Sequence, residues 1–307
     1  MRAGGAASTE RDIAAAQSHP RIKLRRLVGL SVVVGGLLVT GLRAWDALAA
    51  LPGVHEALVL GMIAALATAL GVLPMVLARA PTQRTHDALL GFGAGVMLAA
   101  TCFSLLNPAL AAARESGLGP WSRAFGVGAS LIAGVALLML IERVLPHEHF
   151  FGGAGRAGPA RMRRVTLFVL AIVLHNVPEG LAIGVAAAGT DTARATALAT
   201  GIAIQDVPEG LVVALALHAV GIRRSVAVAL GAMSGLVEPL AAVLAAATLA
   251  LSSALLPWGL AFAAGAMLFV VSHEVIPESH RQGHERWATS GLVLGFVLMM
   301  VLDTALG

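Results

Sequence analysis

Two copies of one polar motif stand thirty residues apart in an otherwise apolar part of the chain. The first reads His-Asn-Val-Pro-Glu-Gly over residues 175–180, and the second reads Gln-Asp-Val-Pro-Glu-Gly over residues 205–210. A charged side chain near the centre of a bilayer costs about 3 kcal/mol on insertion scales, so it persists there only with a partner. The surrounding runs, residues 165–189 and 195–219, contain no Lys or Arg. The pattern therefore predicts that a cation from outside the chain supplies the missing charge.

Each motif presents two neighbouring sets of ligands if it is helical, because residues four positions apart share a helix face. One face carries the residues at the first and fifth motif positions, His175, Glu179, Gln205 and Glu209. An adjacent face, rotated by about 100°, carries the residues at the second positions, Asn176 and Asp206. The helices that bear the motifs are joined by a short loop, so we expect them to run antiparallel with the motifs facing each other. Inverted-repeat transporters have this arrangement.

The ligand types indicate which ions the site would bind. Imidazole, amide and carboxylate groups without a thiolate suit borderline divalent ions such as Zn²⁺, and also Cd²⁺, Fe²⁺ or Mn²⁺. Six candidate groups exceed the four ligands of one tetrahedral zinc ion, which favours two adjacent ions bridged by Glu179 or Glu209. Glu238, beside Pro239 in the next apolar run, is expected to share in this ligation. The alternative for Glu238 is a protonated or hydrogen-bonded glutamate that serves only the fold.

Five further residues are secondary metal candidates. His273 and Glu274 follow directly on an apolar run. At the cytoplasmic end of that helix and in the loop after it, they would form a release station for metal together with Glu278, His280, His284 and Glu285. The alternative is that this is a solvated polar loop. His147 and His149 flank Glu148 just before a Gly-rich stretch, and this His-Glu-His triplet either collects metal loosely or belongs to an ordinary solvated loop. Met97 is a sulfur ligand or, as is more common for Met, part of the core packing.

The composition indicates an all-α polytopic membrane protein. Hydrophobic residues make up 58% of the chain, charged residues 12%, and the mean hydropathy is +0.85, which is more apolar than a soluble domain can bury. The 35 Gly residues fit membrane helices that approach closely. A single Cys excludes a disulfide framework and a multi-thiolate site. Basic residues are scattered over loops, so no nucleic-acid partner is expected despite the high pI.

Nine apolar runs are long enough to cross the hydrocarbon core of a bilayer. They lie near residues 27–50, 57–78, 88–113, 124–142, 165–188, 195–219, 225–252, 255–274 and 287–306. The seventh and eighth runs are divided at Ser252, Ser253 and Pro257, which favour a turn. We interpret residues 1–26 as a basic cytoplasmic segment, 27–50 as an extra transmembrane helix or a signal peptide, and 51–307 as an eight-helix core with a cytoplasmic loop at 146–164.

The distribution of positive charge predicts the orientation. With the N-terminus inside, 17 of the 21 Lys and Arg residues fall in cytoplasmic segments. Cytoplasmic loops of membrane proteins carry an excess of these residues. The sequence therefore predicts a cytoplasmic N-terminus and a C-terminus outside the cell.

At the paired motifs and Glu238, the chain resembles the ZIP family of divalent metal transporters, and is most similar to its bacterial members. The resemblance covers roughly residues 51–307. It implies a 3+2+3 helix arrangement with an inverted repeat, import into the cytoplasm across the inner membrane, a homodimer, and an elevator-like movement of the first, fourth, fifth and sixth core helices. It also implies two metal positions. The first comprises His175, Glu179, Gln205 and Glu209, and the second comprises Asn176, Asp206, Glu209 and Glu238.

Two other functions compete with carrier-mediated transport. A passive divalent-metal channel would use the same proline-kinked helices and acidic residues. An intramembrane zinc hydrolase would need firm protein ligands and an open position, but His-Glu-x-x-His does not occur in the chain. We therefore expect a transporter and no enzyme, with Zn²⁺ or Cd²⁺ as bound substrate and no cofactor.

Overall fold

The computed structural model describes residues 41–43, 45–77, 82–144, 175–189, 191–219 and 221–306. The chain divides into two packed units, Met1–Ala50 and Leu51–Gly307. In the first unit, residues 41–43 and 45–49 are helical. The predicted segment 1–26, most of the extra helix at 27–50, and the loop at 146–164 with His147 and His149 lie outside the described residues.

The described part of the second unit is helical, and no strand occurs in it. The helices, in chain order, are α1 (Val54–Gly71 with a further turn at Leu73–Val76), α2 (Gln83–Ala99, continuing to Glu115), α3 (Pro120–Val144), α4 (residues 175–187), α5 (Thr192–Ala219), α6 (Arg224–Ser234 and Val237–Ala250), α7 (Leu256–Val270, continuing to His280) and α8 (Glu285–Leu306). All except α4 are long and apolar enough over their described lengths to cross a membrane. The all-helical membrane fold is confirmed, and the eight-helix core stays a prediction.

The turn between α6 and α7 lies where the sequence predicts it. Helix α6 ends at Ala250, a 3₁₀ turn spans Ser253–Leu255, and α7 begins at Leu256. Pro257 occupies the first turn of α7, where its missing N–H leaves no helical hydrogen bond unmade.

Helix α6 differs from the continuous helix predicted over 225–252, because it is interrupted at Gly235 and Leu236. Pro239 has no N–H and cannot donate to the carbonyl of Gly235. The N–H of Glu238 donates to that carbonyl instead, at 3.0 Å, which tightens the turn. Glu238 therefore lies in the first turn of the second half of α6.

Helices α2 and α7 each contain a wider π-helical stretch, Ala100–Leu106 and Val271–Val275, which ends just before a proline turn. Such stretches interrupt the regular hydrogen-bond ladder and are frequent at functional sites. Beyond the second stretch, α7 continues through Ile276–His280. The expectation that Glu278 and His280 belong to a loop is wrong, because both lie in this helical turn. Pro277 is at its start, where a proline is tolerated.

Glycines bring the helix backbones together. Two of them on α2, Gly91 and Gly95, are four residues apart, and so are Gly291 and Gly295 on α8. A Cβ atom added at any of these four positions would collide with a backbone carbonyl oxygen of the other helix. Small residues at this spacing let membrane helices approach closely, so α2 and α8 pack with their backbones in contact.

We predict that Gly95→Ala lowers the thermal unfolding midpoint, because its Cβ would press on the backbone of α8 at Leu292. Overpacking of this kind costs about 1–3 kcal/mol. The matched control is Gly128→Ala on α3, where an added Cβ meets nothing within 4 Å. Both variants would be melted in the same detergent, and equal midpoints would contradict the close contact.

Candidate metal site

The two motifs meet side chain to side chain. The amide of Gln205 on α5 donates a hydrogen bond to Oε1 of Glu179 on α4. On the same side, Nε2 of His175 lies 3.7 Å from Oε2 of Glu209. Each motif therefore contacts the other through the first and fifth motif positions, which are the residues that the helical spacing puts on one face.

These side chains form two overlapping clusters with the spacing of metal ligands. His175, Glu179 and Glu209 make up the first cluster, and Glu179, Asp206 and Glu238 make up the second. Within each cluster the potential ligand atoms lie within 4.8 Å of one another, and Glu179 is common to both.

Asn176 joins the second cluster, because its Nδ2 donates to Oε1 of Glu238 at 3.3 Å. The structure thus brings together all seven residues that the sequence indicates as main ligands. Their division into two metal positions, with Glu209 as the bridge, stays a prediction.

The motif glycines bring further helices to the site. A Cβ on Gly180 of α4 would collide with the backbone of Glu238, so α4 and α6 touch at that residue. A Cβ on Gly210 of α5 would collide with the backbone of Thr68, so α5 and α1 touch there. Glycine accepts such close approach because it has no Cβ. The site is therefore built by four helices, α1, α4, α5 and α6.

The site concentrates negative charge away from water. Glu179, Asp206 and Glu238 are at most 1% exposed. Two like charges 4 Å apart repel by about 4 kcal/mol at an effective dielectric constant of 20. The ion pairs of Arg194 and Arg281 are made with Asp191 and Glu278, which do not belong to either cluster, so these ion pairs do not balance the charge of the site.

Several buried ligand oxygens accept no hydrogen bond from the described residues. They are Asn176 Oδ1, Glu179 Oε2, Gln205 Oε1, both carboxylate oxygens of Asp206, Glu209 Oε1 and Glu238 Oε2. A buried polar atom without a partner is costly. Oxygen atoms together with one imidazole are a suitable ligand set for a divalent cation, which would satisfy these atoms and offset the repulsion.

Of the secondary candidates in α7 and α2, one lies beside the site and two make other contacts. Oε2 of Glu274 lies 3.5 Å from Nδ1 of His175, so Glu274 adjoins the site. His273 instead lies 2.9 Å from Oε1 of Glu142 on α3, and its ring stacks on Phe269. Met97 is 2% exposed and packs in the hydrophobic core.

Two residues near these groups were not indicated by the sequence. Thr68 on α1 donates to Glu238 at 3.4 Å, and Glu142 pairs with His273. Of these two residues, only Glu142 could have been found from its local sequence, because it is an acidic residue at the end of an apolar run. Nothing in its local sequence distinguishes Thr68 from other hydroxyl residues in apolar helices.

Comparison with known proteins identifies the family. A family model described as ZIP zinc transporter matches residues 153–303. Over 302 residues the chain is 50% identical to Zinc transporter ZIPB of Bordetella bronchiseptica, an alignment that covers 96% of this chain and 95% of that protein. The chain belongs to the ZIP family.

Other ZIP proteins are similar over most of their length. The chain is 46% identical over 250 residues to Zinc transporter GufA of Myxococcus xanthus, covering 81% of this chain and 98% of that protein. It is 35% identical to Zinc transporter ZIP11 of Homo sapiens, covering 73% of this chain and 90% of that protein. This ZIP protein is therefore a multi-pass membrane transporter and not an enzyme, as the sequence predicts.

We predict that Glu179→Gln keeps the shape of the site but removes one of its buried charges. The metal-free variant should melt at the same temperature as the wild type or higher, because like-charge repulsion falls. Stabilisation by added Zn²⁺, about 2.7 kcal/mol for a ligand at 100 times its Kd, should be smaller than in the wild type. The exposed Glu115→Gln is the matched control and should respond like the wild type. An undiminished zinc response of Glu179→Gln would remove Glu179 from the site.

Proposed function

We propose that this ZIP protein carries Zn²⁺, and also Cd²⁺, into the cytoplasm through two adjacent metal positions inside the membrane. The observation that carries the proposal is the pair of overlapping clusters that share Glu179. Each of their four carboxylates has at least one buried oxygen that accepts no hydrogen bond from the described residues. The first position uses His175, Glu179, Gln205 and Glu209. The second uses Asn176, Asp206, Glu209 and Glu238. The names of the ZIP relatives as zinc transporters support zinc as the substrate.

The ligand set favours an ion that is bound and then released. Carboxylate and amide oxygens with a single imidazole hold borderline divalent ions less firmly than the thiolate and multi-histidine sets of structural zinc sites. Glu179 and Glu209 each contact a residue of the other motif, and each has an oxygen without a hydrogen-bond donor among the described residues. Either carboxylate is thus able to bridge two ions, and Glu209 is our assignment.

The packing supports an elevator-like movement of α1, α4, α5 and α6 against α2, α3, α7 and α8. At several described glycines an added Cβ would collide with the backbone of another helix, and these contacts all join helices of the same group. They include Gly71 (α1 with α5), Gly184 (α4 with α6), Gly95 (α2 with α8) and Gly134 (α3 with α7). Each group is thus held by close backbone contact.

Between the two groups of helices, the glycine contacts are with side chains and not with backbones. At Gly93, Gly201 and Gly259 the atoms that a Cβ would meet across the boundary are side-chain atoms. Flexible side chains repack more readily than backbones in contact, so this boundary is the favoured plane of movement. The contact of His175 with Glu274 crosses it, and movement of the first group would break that contact.

We assign the release route to the part of α7 that carries Glu274, which adjoins the site. His273 on α7 and its partner Glu142 on α3 are assigned to the later part of this route. The excess of positive charge on one side of the chain supports a cytoplasmic N-terminus and an outside C-terminus in the cell inner membrane. A homodimer follows from the family resemblance.

We predict that His175→Ala and Glu209→Ala reduce Zn²⁺ and Cd²⁺ uptake into proteoliposomes at least tenfold, since each removes a ligand. His218→Ala is the control on the same helix as Glu209, because His218 is exposed and contacts the backbone carbonyl of Ile222. Uptake would be measured with a metal-sensitive dye inside the vesicles, at equal protein incorporation. Wild-type uptake by a well-folded Glu209→Ala protein would refute the assignment.

A carrier and a channel differ in their kinetics. If one group of helices moves against the other, initial uptake should saturate with metal concentration and fall steeply on cooling, because each ion requires a conformational cycle. A passive channel would give flux that rises linearly with the gradient and depends weakly on temperature. Linear flux over a range well above the measured Kd would exclude the moving carrier.

A further inference from the structure

A threonine on α1 adjoins the second cluster. Thr68 is 0% exposed, and its Oγ1 lies 3.4 Å from Oε1 of Glu238 and 3.3 Å from the carbonyl of Ala64. One hydroxyl donates only one hydrogen bond, and a carboxylate is the stronger acceptor because the bond is charge-assisted. Bonding to Glu238 is therefore favoured over the local bond to Ala64 when the carboxylate is ionised, as it is in a metal ligand.

The orientation of Thr68 is fixed by its neighbours. A Cβ added at Gly235 of α6 would lie 2.7 Å from Oγ1, and one added at Gly210 of α5 would lie 3.1 Å from Cγ2. The methyl group thus packs on the motif glycine while the hydroxyl faces the break in α6 that presents Glu238. Because both sides are in contact, the side chain has little freedom to turn the hydroxyl elsewhere.

The hydrogen bonds at Glu238 leave one oxygen for a ligand. Thr68 and the amide of Asn176 both approach Oε1, at 3.4 and 3.3 Å. Oε2 accepts no hydrogen bond from the described residues. Two donors on one oxygen hold the plane of the carboxylate and leave Oε2 open to an ion in the second cluster, which Glu238 shares with Glu179 and Asp206.

The sequence shows that Thr68 and Glu238 occupy corresponding positions. Gly61 precedes Thr68 by seven residues, and Gly231 precedes Glu238 by the same distance. The Gly-x-Met-Leu pattern that begins at Gly95 in α2 recurs at Gly265 in α7 with the same offset of 170 residues. In the structure, the motif glycine of α5 packs on Thr68 just as that of α4 packs on Glu238.

We propose that Thr68 is a positioning residue for the second metal position, where its hydroxyl orients Glu238 so that Oε2 faces the ion. This inference rests on the two-position site of the proposed function. Loss of a group that orients a metal ligand weakens binding by about 10- to 100-fold. The effect should be confined to the second ion, since Thr68 contacts Glu238 and not His175 or Glu209 among the described contacts.

Zinc binding to purified full-length protein tests the proposal. Thr68→Val keeps the shape of the side chain and removes the hydroxyl, and Thr68→Ala differs from Thr68→Ser only by the hydroxyl. Equilibrium dialysis against buffered Zn²⁺ with metal counting would give both affinities. We expect Thr68→Val and Thr68→Ala to weaken the second ion at least tenfold with the first unchanged, and Thr68→Ser to bind both within about threefold of wild type.

Thr101→Val is the matched control. Thr101 is also buried, but its hydroxyl donates to the carbonyl of Met97 in its own helix, so both zinc affinities should be unchanged. If Thr68→Val misfolds, the comparison of Thr68→Ala with Thr68→Ser still isolates the hydroxyl.

The outcomes separate the two proposals. Unchanged affinities in the hydroxyl-free variants, or equal weakening of both ions, would overturn the positioning role of Thr68 while Glu238→Ala still loses one ion of two. Equal metal counts for wild type and Glu238→Ala would instead refute the two-position site, and the role of Thr68 with it.

Discussion

The convergence of acidic groups in an apolar interior is the constraint on which the rest of this structure depends. Holding a charged carboxylate out of water costs several kcal/mol even after relaxation, and Glu179, Asp206 and Glu238 are buried together. Apolar packing does not offset that cost, whereas a divalent cation does so at several carboxylates at once. The ligands must therefore come close to one another, and the helices that carry them must also come close.

Glycine makes this approach possible. The motif glycines, Gly180 and Gly210, let α4 and α5 touch the backbones of α6 and α1, and a side chain there would move Glu238 and Thr68 away from the other ligands. The glycines are thus as much a part of the site as the carboxylates that precede them. Proline also positions a ligand, because Pro239 interrupts the hydrogen bonding of α6 at the tight turn from which Glu238 projects.

The sequence predicted what depends on periodicity and charge. The paired ligand faces follow from the helical spacing of His175 and Glu179, and the turn between α6 and α7 follows from the residues that favour it. The sequence did not predict what depends on hydrogen bonds between helices. His273 and Glu274 are neighbours in the chain, yet successive residues of a helix project in different directions, and only Glu274 adjoins the site. Thr68 was missed because a membrane-helix threonine commonly bonds to its own helix, as Thr101 does.

The two halves of the site correspond in position but differ in chemistry. His175 corresponds to Gln205, Asn176 to Asp206, and Thr68 to Glu238. Only the glutamates of the two motifs are the same, so the proposed ligands include four carboxylates, Glu179, Asp206, Glu209 and Glu238, and not the six that full repetition of the acids would give. Two divalent ions balance four carboxylates. A more acidic site would retain a negative charge when loaded and would hold its ions against release, so the neutral partners Asn176 and Thr68 suit a site that must also empty.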